Sequence, residues 1–481
     1  MPFRCPHYLI AIIGLWILWV QTIGSALAFE KRPIAFIHAN LIPMTTATVL
    51  IDQTVVVEGD QIIAVGPSSQ TETPPNAKVV NCRNAFLMPG LSDMHMHLRY
   101  DWMSDAWPVS PLKLYLANGV TTIRCFGPNG KTGRYGLKWR KEIDAGRLDG
   151  PSILSCGPTL RGHFKEDPEQ IVIRQKYQRF DFIKIYSFVT LQEYQTILST
   201  AKKLNIYTAG HIPFQVGLDR VLAEGMDEIA HIEELIWEFS DLDRQRYFES
   251  EDDWMAYAIQ TTFNRFSPLL ELPPQEQYQK IESMVIALVD KLKKKPIPIC
   301  TTVVIDDLIV HKLSDPEGFL KKPENRYLPS SYLERFRMGR EKHQQQFKGG
   351  EAFASFKYLL DKMLLEALKA IDIPLLLSTD AGTGTMGAVP GFSLHDELRI
   401  LVENGFTPYE ALAAGTIVAS TIVKQMNGRD DFGTITPGKR ADLVLLQQNP
   451  LEDVANARKI RGVMAAGRWY DQKAIAEMLD Q

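Results

Sequence analysis

Short apolar runs alternate with amphipathic stretches through the middle of the chain. Between two of these runs, Leu191, Tyr194, Ile197 and Leu204 recur at helical spacing behind Thr190, a residue type that caps helices. Such alternation predicts βαβ units and a parallel sheet, hence the α/β class. The predicted strands number eight, as a (β/α)8 TIM barrel requires, and cover residues 85–97, 120–127, 151–157, 182–187, 206–212, 228–233, 297–304 and 373–380.

The two ends of the chain share a different pattern, in which short β-prone runs are separated by turn residues. Glu58-Gly59-Asp60 separates two of the early runs and predicts a hairpin. The runs cover residues 34–38, 54–58 and 61–65 near the start, and 433–435, 441–446 and 460–465 near the end. We therefore expect the two ends to pair into one sheet.

The connection between the sixth and seventh predicted strands, residues 234–296, is unusually long. It carries aromatic residues such as Trp237, Trp254 and Tyr257, followed by a helical stretch over 275–295. We interpret its first half as an insertion over the barrel mouth. It could be a lid that selects substrates, or it could pack against the terminal sheet or against a second subunit of a homo-oligomer.

The first 28 residues have the pattern of a secretory signal peptide. Arg4 supplies a positive start, residues 9–20 are uniformly apolar, and Ala26-Leu27-Ala28 matches a cleavage site. The apolar run is shorter than the about 20 residues that span a bilayer. We expect cleavage at this site and a secreted or periplasmic protein with no stable membrane span. An uncleaved N-terminal anchor is the less favoured alternative.

Composition narrows the classes of partner for this 481-residue chain. Lys plus Arg number 53 and Asp plus Glu 57, a net charge of -4, so the dense positive field that nucleic-acid binding needs is absent. The five cysteines are scattered without a CxxC pair, which argues against a disulfide scaffold or a zinc finger. A small molecule or a short peptide is the expected partner.

Metal-competent residues stand at the ends of the predicted strands, where the site of such a barrel lies. His95 and His97 are two residues apart on the first strand, so their side chains point to the same side. His211 ends the fifth strand, His231 the sixth and Asp380 the eighth. Each histidine alone is equally compatible with a structural role, but their successive placement favours one shared metal site.

Lys184 lies inside the apolar strand 182–187, where a free ammonium would be costly to bury. It could face outward between helices, or it could join the histidines and Asp380 at the barrel mouth. Imidazole and oxygen ligands suit zinc, with manganese, iron, cobalt or nickel as alternatives. A lysine fits such a set only without its positive charge, and addition of carbon dioxide would turn it into an anionic carbamate able to bridge two cations.

These residues resemble the amidohydrolase superfamily, with His95-Met96-His97 on the first strand and Asp380 in Ser-Thr-Asp-Ala-Gly. The terminal stretches MPGLSDMHMH and GTITPGKRADLVLLQQNPLEDV resemble its companion β-sandwich. PGFSLHDEL and NGFTPYEAL are similar to the branch of imidazolonepropionase-like enzymes and Xaa-Pro dipeptidases (prolidases). The resemblance implies a small β-sandwich built from residues 29–86 and 431–481, around a barrel over 87–430.

The resemblance also implies a binuclear metal-dependent hydrolase that cleaves a carbon–nitrogen bond, such as that of a dipeptide, by attack of a metal-bridging hydroxide. Asp380 would shuttle the proton. Two divalent ions, zinc by preference, would be held by His95, His97 and Asp380 on one side and His211 and His231 on the other, with carbamylated Lys184 as the bridge. Alternatives are a cyclic amidase or lactonase, or a mononuclear deaminase, on the same scaffold. An alternative of another class is a metal-bearing binding protein that has lost catalysis.

Two further residues are candidate substrate contacts. His163 follows the third strand in Arg161-Gly162-His163, where the similar branch often has Gly-Gly-His, so the arginine changes the loop. Tyr186 shares a strand face with Lys184 and could donate a hydrogen bond to an oxyanion. The alternatives are an ordinary loop histidine and a core tyrosine. For His395, which opens the helix after the eighth strand, a capping or supporting role is favoured.

Overall fold

The computed structural model describes residues 32–104, 106–127, 134–347 and 351–480. The first five strands are β1 (Ile34–Leu41), β2 (Leu50–Glu58), β3 (Gln61–Pro67), β4 (Lys78–Asn81) and β5 (Phe86–Pro89). The next eight are β6 (Leu91–Met96), β7 (Val120–Cys125), β8 (Ser152–Ser155), β9 (Phe182–Ile185), β10 (Tyr207–Gly210), β11 (Glu228–Ile229), β12 (Ile299–Cys300) and β13 (Leu375–Leu376). The last three are β14 (Leu443–Leu446), β15 (Ile460–Ala465) and β16 (Arg468–Asp471).

Helices alternate with the middle strands, which gives the mixed α/β class that the pattern predicts. They are α1 (Pro111–Ala117), α2 (Arg134–Asp144), α3 (Pro168–Tyr177), α4 (Leu191–Lys203), α5 (Gly217–Glu224), α6 (Glu251–Leu270), α7 (Pro274–Lys294), α8 (Val304–Ser314), α9 (Pro316–Leu320), α10 (Ser330–Gln346), α11 (Glu351–Ala370), α12 (Phe392–Glu403), α13 (Pro408–Ala414), α14 (Ile417–Asn427) and α15 (Gln472–Leu479). Short 3-10 helices occupy Tyr100–Met103, Ile232–Phe239, Pro323–Tyr327 and Val454–Arg458.

At the start of α4, Thr190 and Glu193 form the reciprocal hydrogen bonds of a capping box, and Tyr194 and Ile197 are buried.

Both ends of the chain pair into one sheet, with the strand order β16-β15-β14-β5-β1-β2-β3 and β4 beside β1. The early and late strands meet where β5 pairs antiparallel with β14, Met88 opposite Val444. Behind this sheet, the rings of Phe36 and Trp469 pack edge to face with centroids 4.9 Å apart. The pairing of the terminal strands therefore agrees with the sequence pattern.

The middle strands form two parallel sheets, β6-β7-β8 and β9-β10-β11-β12-β13. Isolated parallel bridges join them at both edges, Cys156 to Phe182 on one side and Met96 to Ala381 on the other. The carboxyl ends of these strands therefore face one region of the molecule.

The first predicted strand, 85–97, is two strands that belong to different sheets. The chain changes sheets at Gly90, whose amide donates to the Asp442 carbonyl at 2.9 Å. A Cβ at Gly90 would lie 2.2 Å from the Thr121 hydroxyl, so only glycine allows this approach. The apolar run does not reveal the break because both strands are buried.

The long connection after β11 packs over the loops that follow β9 and β10. Trp254 of α6 packs edge to face on Phe188 and on Phe214, at centroid distances of 6.1 and 6.2 Å. Phe248 lies 5.3 Å from Phe214. These contacts put the insertion beside the carboxyl ends of the parallel strands.

Within the described ranges no helix is long and apolar enough to cross a membrane. The predicted signal peptide, residues 1–28, lies outside those ranges.

Candidate metal centre

Every predicted metal ligand stands at or just beyond the carboxyl end of a parallel strand. His95 is the second-last residue of β6, and His97 is the first residue after that strand. His211 comes directly after β10, His231 two residues after β11, and Asp380 in the segment after β13. Because neighbouring parallel strands end at the same edge, residues far apart in the sequence converge.

His95, His97 and Asp380 form the tightest group. Each offers one ligand atom, and these atoms all lie within 4.8 Å of one another. Asp380 Oδ1 lies 2.7 Å from His97 Nε2 and 3.4 Å from His95 Nε2. Yet Oδ1 and His95 Nε2 are buried and lack an aligned hydrogen-bond partner among the described residues. Close approach without hydrogen-bond alignment fits three ligands that face one cation.

His231 and His211 extend this group as a row of neighbouring rings. The His231 ring centroid lies 4.3 Å from that of His95 and 5.0 Å from that of His211. These two histidines are not within the tight three-residue group, so they form a second, adjacent pair of imidazoles.

Lys184 of β9 lies against the same cluster. Its side chain is buried, and Nζ lies 4.8 Å from the Phe126 ring, which itself stacks on His95 at 4.0 Å. Burial lowers the pKa of Lys184 to about 8, although Asp380 and Glu234 oppose that shift. The ammonium has no hydrogen-bond partner in the described part of the chain. The alternative of an outward-facing lysine therefore does not hold.

Each imidazole is oriented through its Nδ1 atom. His95 Nδ1 donates to the Ala230 carbonyl at 2.8 Å and His97 Nδ1 to the Gly127 carbonyl at 3.1 Å. His231 Nδ1 lies 3.1 Å from Thr302 Oγ1. A carbonyl only accepts, so the proton of His95 and His97 sits on Nδ1 and Nε2 keeps its lone pair. This is the usual support of a metal-binding histidine.

The protonation states also suit a cation. Burial, together with neighbouring positive groups, holds the pKa values of His95, His211 and His231 well below the ordinary value, so these imidazoles are neutral. Burial raises the pKa of Asp380, but the electrostatic influence of the groups around it, with His97 foremost, outweighs burial and the net shift is downward. Neutral imidazoles with a carboxylate are the form in which these side chains bind zinc and related ions.

Glu234 is a functional candidate that sequence reasoning missed. Its carboxylate is buried, with Oε1 2.7 Å from His211 Nδ1 and Oε2 accepting the Ile212 amide at 3.2 Å. Ser187 Oγ is the second neighbour of the same Nδ1, at 3.1 Å. Burial raises the pKa of Glu234 to about 7. A carboxylate three residues after His231, in an otherwise apolar stretch, is the signal that could have revealed it.

Asp93 is a second residue without a predicted role. It is fully buried and accepts from the Thr379 hydroxyl at 2.5 Å, from the Thr379 amide at 3.2 Å and from the His95 amide at 3.3 Å. Burial raises its pKa to about 7. These bonds tie β6 to the segment that follows β13, so Asp93 positions His95 relative to Asp380.

The two predicted substrate contacts lie at different depths. Tyr186 is half-buried, and its ring centroid is 4.2 Å from that of His211. His163 is exposed, has a φ of 51°, and lies 5.9 Å from the Tyr247 ring of the insertion. The Arg161 guanidinium lies 4.4 Å above the Tyr186 ring. Tyr186 is therefore beside the imidazoles, whereas His163 is outside them.

His163 lines a small cleft next to the imidazoles, formed between the strand loops and the insertion. Ser187 connects the two, because its hydroxyl contacts His211 and also lines the cleft. The full lining is His163, Ser187, Phe188, Phe214, Gln215, Arg246, Tyr247 and Phe248. Four aromatic rings and one arginine give this cleft an apolar, cationic character.

His395 is buried on α12, and its Nε2 lies 2.9 Å from the Asn118 carbonyl. Burial lowers its pKa to about 3, so the ring is neutral. It joins α12 to the end of α1 rather than to the metal centre, as the favoured supporting role requires.

Comparison with known proteins finds sequence matches over part of the chain. Residues 362–470 match the amidohydrolase family. A dihydroorotase from Wolbachia sp. subsp. Brugia malayi (strain TRS) is 33% identical over 110 residues, which are 22% of this chain and only 25% of that protein. The chain thus matches about a quarter of the length of this curated relative.

Solved structures match over nearly the whole chain. A Xaa-Pro dipeptidase with bound methionine in the active site has a TM-score of 0.60 at 19% identity, covering 91% of this chain and 100% of that one. A bottromycin amidohydrolase has a TM-score of 0.63 at 19% identity, covering 93% and 89%. At such identities the likeness concerns the fold. The family match and these neighbours confirm the resemblance to the amidohydrolase superfamily.

Proposed function

We propose that this protein, which resembles the amidohydrolase superfamily in family match and in fold, is a binuclear metal-dependent hydrolase of a carbon–nitrogen bond. One observation carries the proposal: His95 Nε2, Lys184 Nζ and Asp380 Oδ1 are buried in one cluster without a hydrogen-bond partner among the described residues. Leaving a buried polar group unsatisfied costs about 1–3 kcal/mol, and more for a charged one. Two divalent cations would satisfy the histidine nitrogen and the carboxylate oxygen directly, and the lysine once it carries a carbamate.

In this proposal the architecture is a closed (β/α)8 barrel with a β-sandwich formed by the two chain ends. The two bridges that join the parallel sheets support closure, and the eight-stranded terminal sheet supports the second unit. We also propose that residues 1–28 are a signal peptide and that the mature protein is secreted or periplasmic. The basis for the last point is the charge and apolar pattern of those residues.

His95, His97 and Asp380 would hold one cation, and His211 and His231 the other. Lys184 would bridge them as a carbamate, and its lowered pKa raises the fraction of neutral amine that adds carbon dioxide and releases a proton. The chemistry that such cations supply is polarisation of the substrate carbonyl and a water pKa near about 7.

The protein's own groups complete the reaction. Asp380 accepts a proton from the attacking water, whose oxygen adds to the carbonyl carbon. The carbon–nitrogen bond then breaks, and Asp380 delivers the proton to the departing nitrogen. Tyr186, beside His211, is positioned to donate a hydrogen bond to the oxyanion. The substrate is a dipeptide or another small acyl-amine, a choice supported by the dipeptidase and amidohydrolase among the fold neighbours.

Metal content tests the proposal directly. Elemental mass spectrometry of the purified protein should give two ions per chain, falling to one or none in Lys184→Ala. Lys312→Met is the matched control, because Lys312 is also a buried lysine but bonds the Thr385 carbonyl instead of facing the imidazoles. It should keep both ions.

Chemical rescue separates a lost bridge from a damaged fold. Short carboxylates such as acetate or propionate should restore the second ion in Lys184→Ala, because they replace the missing carbamate oxygens. Turnover of a panel of dipeptides and N-acyl amino acids should follow the metal content. One ion per chain, unaffected by the substitution, would contradict the binuclear proposal.

A further inference from the structure

We propose that the small cleft beside the imidazoles is a specificity pocket that takes an aromatic side chain of the substrate. Its four rings are those of Phe188, Phe214, Tyr247 and Phe248. The inference rests on the proposed hydrolase function and narrows its substrates to acyl-amines that carry an aromatic ring. It assigns substrate selection to the insertion after β11, the first of the roles that the sequence leaves open.

The cleft has a buried apolar floor and an exposed mouth. Phe214, from the loop after β10, and Phe248, from the insertion, are buried, and their ring centroids lie 5.3 Å apart. At the mouth, Tyr247 of the insertion is 68% exposed, and its ring centroid lies 5.9 Å from that of His163 in the loop after β8. Apolar rings below and amphipathic rings above suit a guest that is itself a ring.

The walls of the cleft are held in place by a buried tryptophan. Trp254 of α6 packs edge to face on Phe188 and on Phe214, at centroid distances of 6.1 and 6.2 Å. Walls that are already fixed need little rearrangement to accept a ligand, which lowers the cost of binding. The edge-to-face contact is also the geometry that a further aromatic ring would adopt.

The charges around the cleft favour an aromatic guest over a charged one. Arg246 lines the cleft, and its guanidinium lies 5.2 Å from the ring centroid of Phe248 and 4.4 Å from that of Tyr257. A guanidinium attracts the face of an aromatic ring. None of the described side chains that line the cleft is acidic, so a basic guest would find no counter-charge there. An acidic guest would lose its hydration at the apolar floor.

The cleft lies within reach of the reacting bond. Ser187 lines it, and the Ser187 Oγ lies 3.1 Å from His211 Nδ1. The proposed cation would bind Nε2 on the other side of this ring, so only the His211 imidazole separates the cleft from the metal centre. Tyr186, the proposed oxyanion donor, precedes Ser187, and its ring centroid lies 4.2 Å from that of His211. A side chain next to the scissile carbonyl therefore has the cleft as its neighbour.

Binding calorimetry on the metal-loaded protein tests the pocket with dipeptide isosteres, in which a methylene replaces the peptide nitrogen and prevents hydrolysis. The isosteres of Ala-Ala, Phe-Ala and Ala-Phe differ only in the presence and position of one ring. A ring-bearing isostere should bind about 10- to 100-fold more tightly than that of Ala-Ala, the gain expected from burying a ring. The position that gives the gain identifies the side of the scissile bond that faces the cleft.

Two variants locate the gain in the cleft. Tyr247→Ala removes an exposed ring at the mouth, and Phe248→Leu keeps the floor apolar but removes a ring. Each should lower the ratio of the two affinities about 2- to 10-fold. Tyr278→Ala is the matched control, because Tyr278 is a 43% exposed tyrosine of the same long connection, on α7, but does not line the cleft. It should keep the wild-type ratio.

The proposal is overturned if neither ring-bearing isostere binds more tightly than that of Ala-Ala, or if both cleft variants keep the wild-type ratio. An equal loss of the ratio in Tyr278→Ala would also overturn it. Failure of the hydrolase proposal is seen separately, in the metal content and in the absence of turnover on the panel of dipeptides and N-acyl amino acids.

Discussion

Glu234 allows a sharp test of how the metal centre is supported. Its Oε1 lies 2.7 Å from His211 Nδ1 and its Oε2 accepts the Ile212 amide, so both oxygens are in use. Glu234→Gln keeps the shape but replaces one acceptor with an amide donor. Either His211 loses its carboxylate neighbour or the Ile212 amide loses its acceptor.

The expected effect is on metal retention rather than on folding. Substitution of a group that orients a metal-binding histidine weakens metal affinity about 10- to 100-fold. We expect the lower half of that range, because Ser187 Oγ remains 3.1 Å from His211 Nδ1. The fold should survive, since glutamine fills the same buried volume and avoids burying a carboxylate whose pKa burial already raises to about 7.

The assay is competition with a graded chelator, with retained metal counted by elemental mass spectrometry and unfolding followed by circular dichroism. Glu233→Gln is the matched control, because Glu233 is the preceding residue but bonds Lys357 at 2.8 Å instead of His211. Metal retention in Glu234→Gln within twofold of the wild type, or an equal loss in Glu233→Gln, would refute the reasoning.

Three further predictions follow from the same contacts. Asp380→Asn should fold normally, judged by circular dichroism, but lose most turnover; near-normal kcat would contradict its role as proton shuttle. Arg124 and Glu228 form a fully buried two-bond ion pair at 2.8 and 2.5 Å, so Arg124→Met alone should cost about 3–5 kcal/mol in urea unfolding, and adding Glu228→Gln should recover part of it. Burial raises the pKa of Glu397 to about 7. The folded state therefore holds a proton that the unfolded state releases above its own pKa of about 4.5. The free energy of unfolding consequently falls as the pH rises from about 4.5 to about 7. Glu397→Gln should remove about 3 kcal/mol of that loss, measured as the change in unfolding free energy between pH 5 and 8.

The metal-ligand candidates at the strand ends could be predicted from the sequence, because each is marked by the short apolar run that comes before it. His95, His211 and Asp380 each follow an apolar run, and parallel strands bring such positions together. The split at Gly90 was not predictable, because two consecutive buried strands give one uninterrupted apolar run.

The buried lysines show why position alone does not identify a functional residue. Lys184, Lys312 and Lys357 are all buried in the described ranges. Lys312 bonds the Thr385 carbonyl, and Lys357 contacts three carboxylates, of which Asp306 is the nearest at 2.5 Å. Burial of an ammonium is tolerable only with such compensation.

Lys184 has no such compensation from the described residues: its Nζ makes no hydrogen bond and lies 4.8 Å from the ring centroid of Phe126. The sequence could place all three lysines in apolar surroundings, but only the structure shows which one lacks a partner. A carbamate that binds cations would replace the positive charge with a negative one and would leave one N–H in place of the three ammonium donors. That difference, rather than burial itself, distinguishes Lys184 from the two lysines that stabilise the fold.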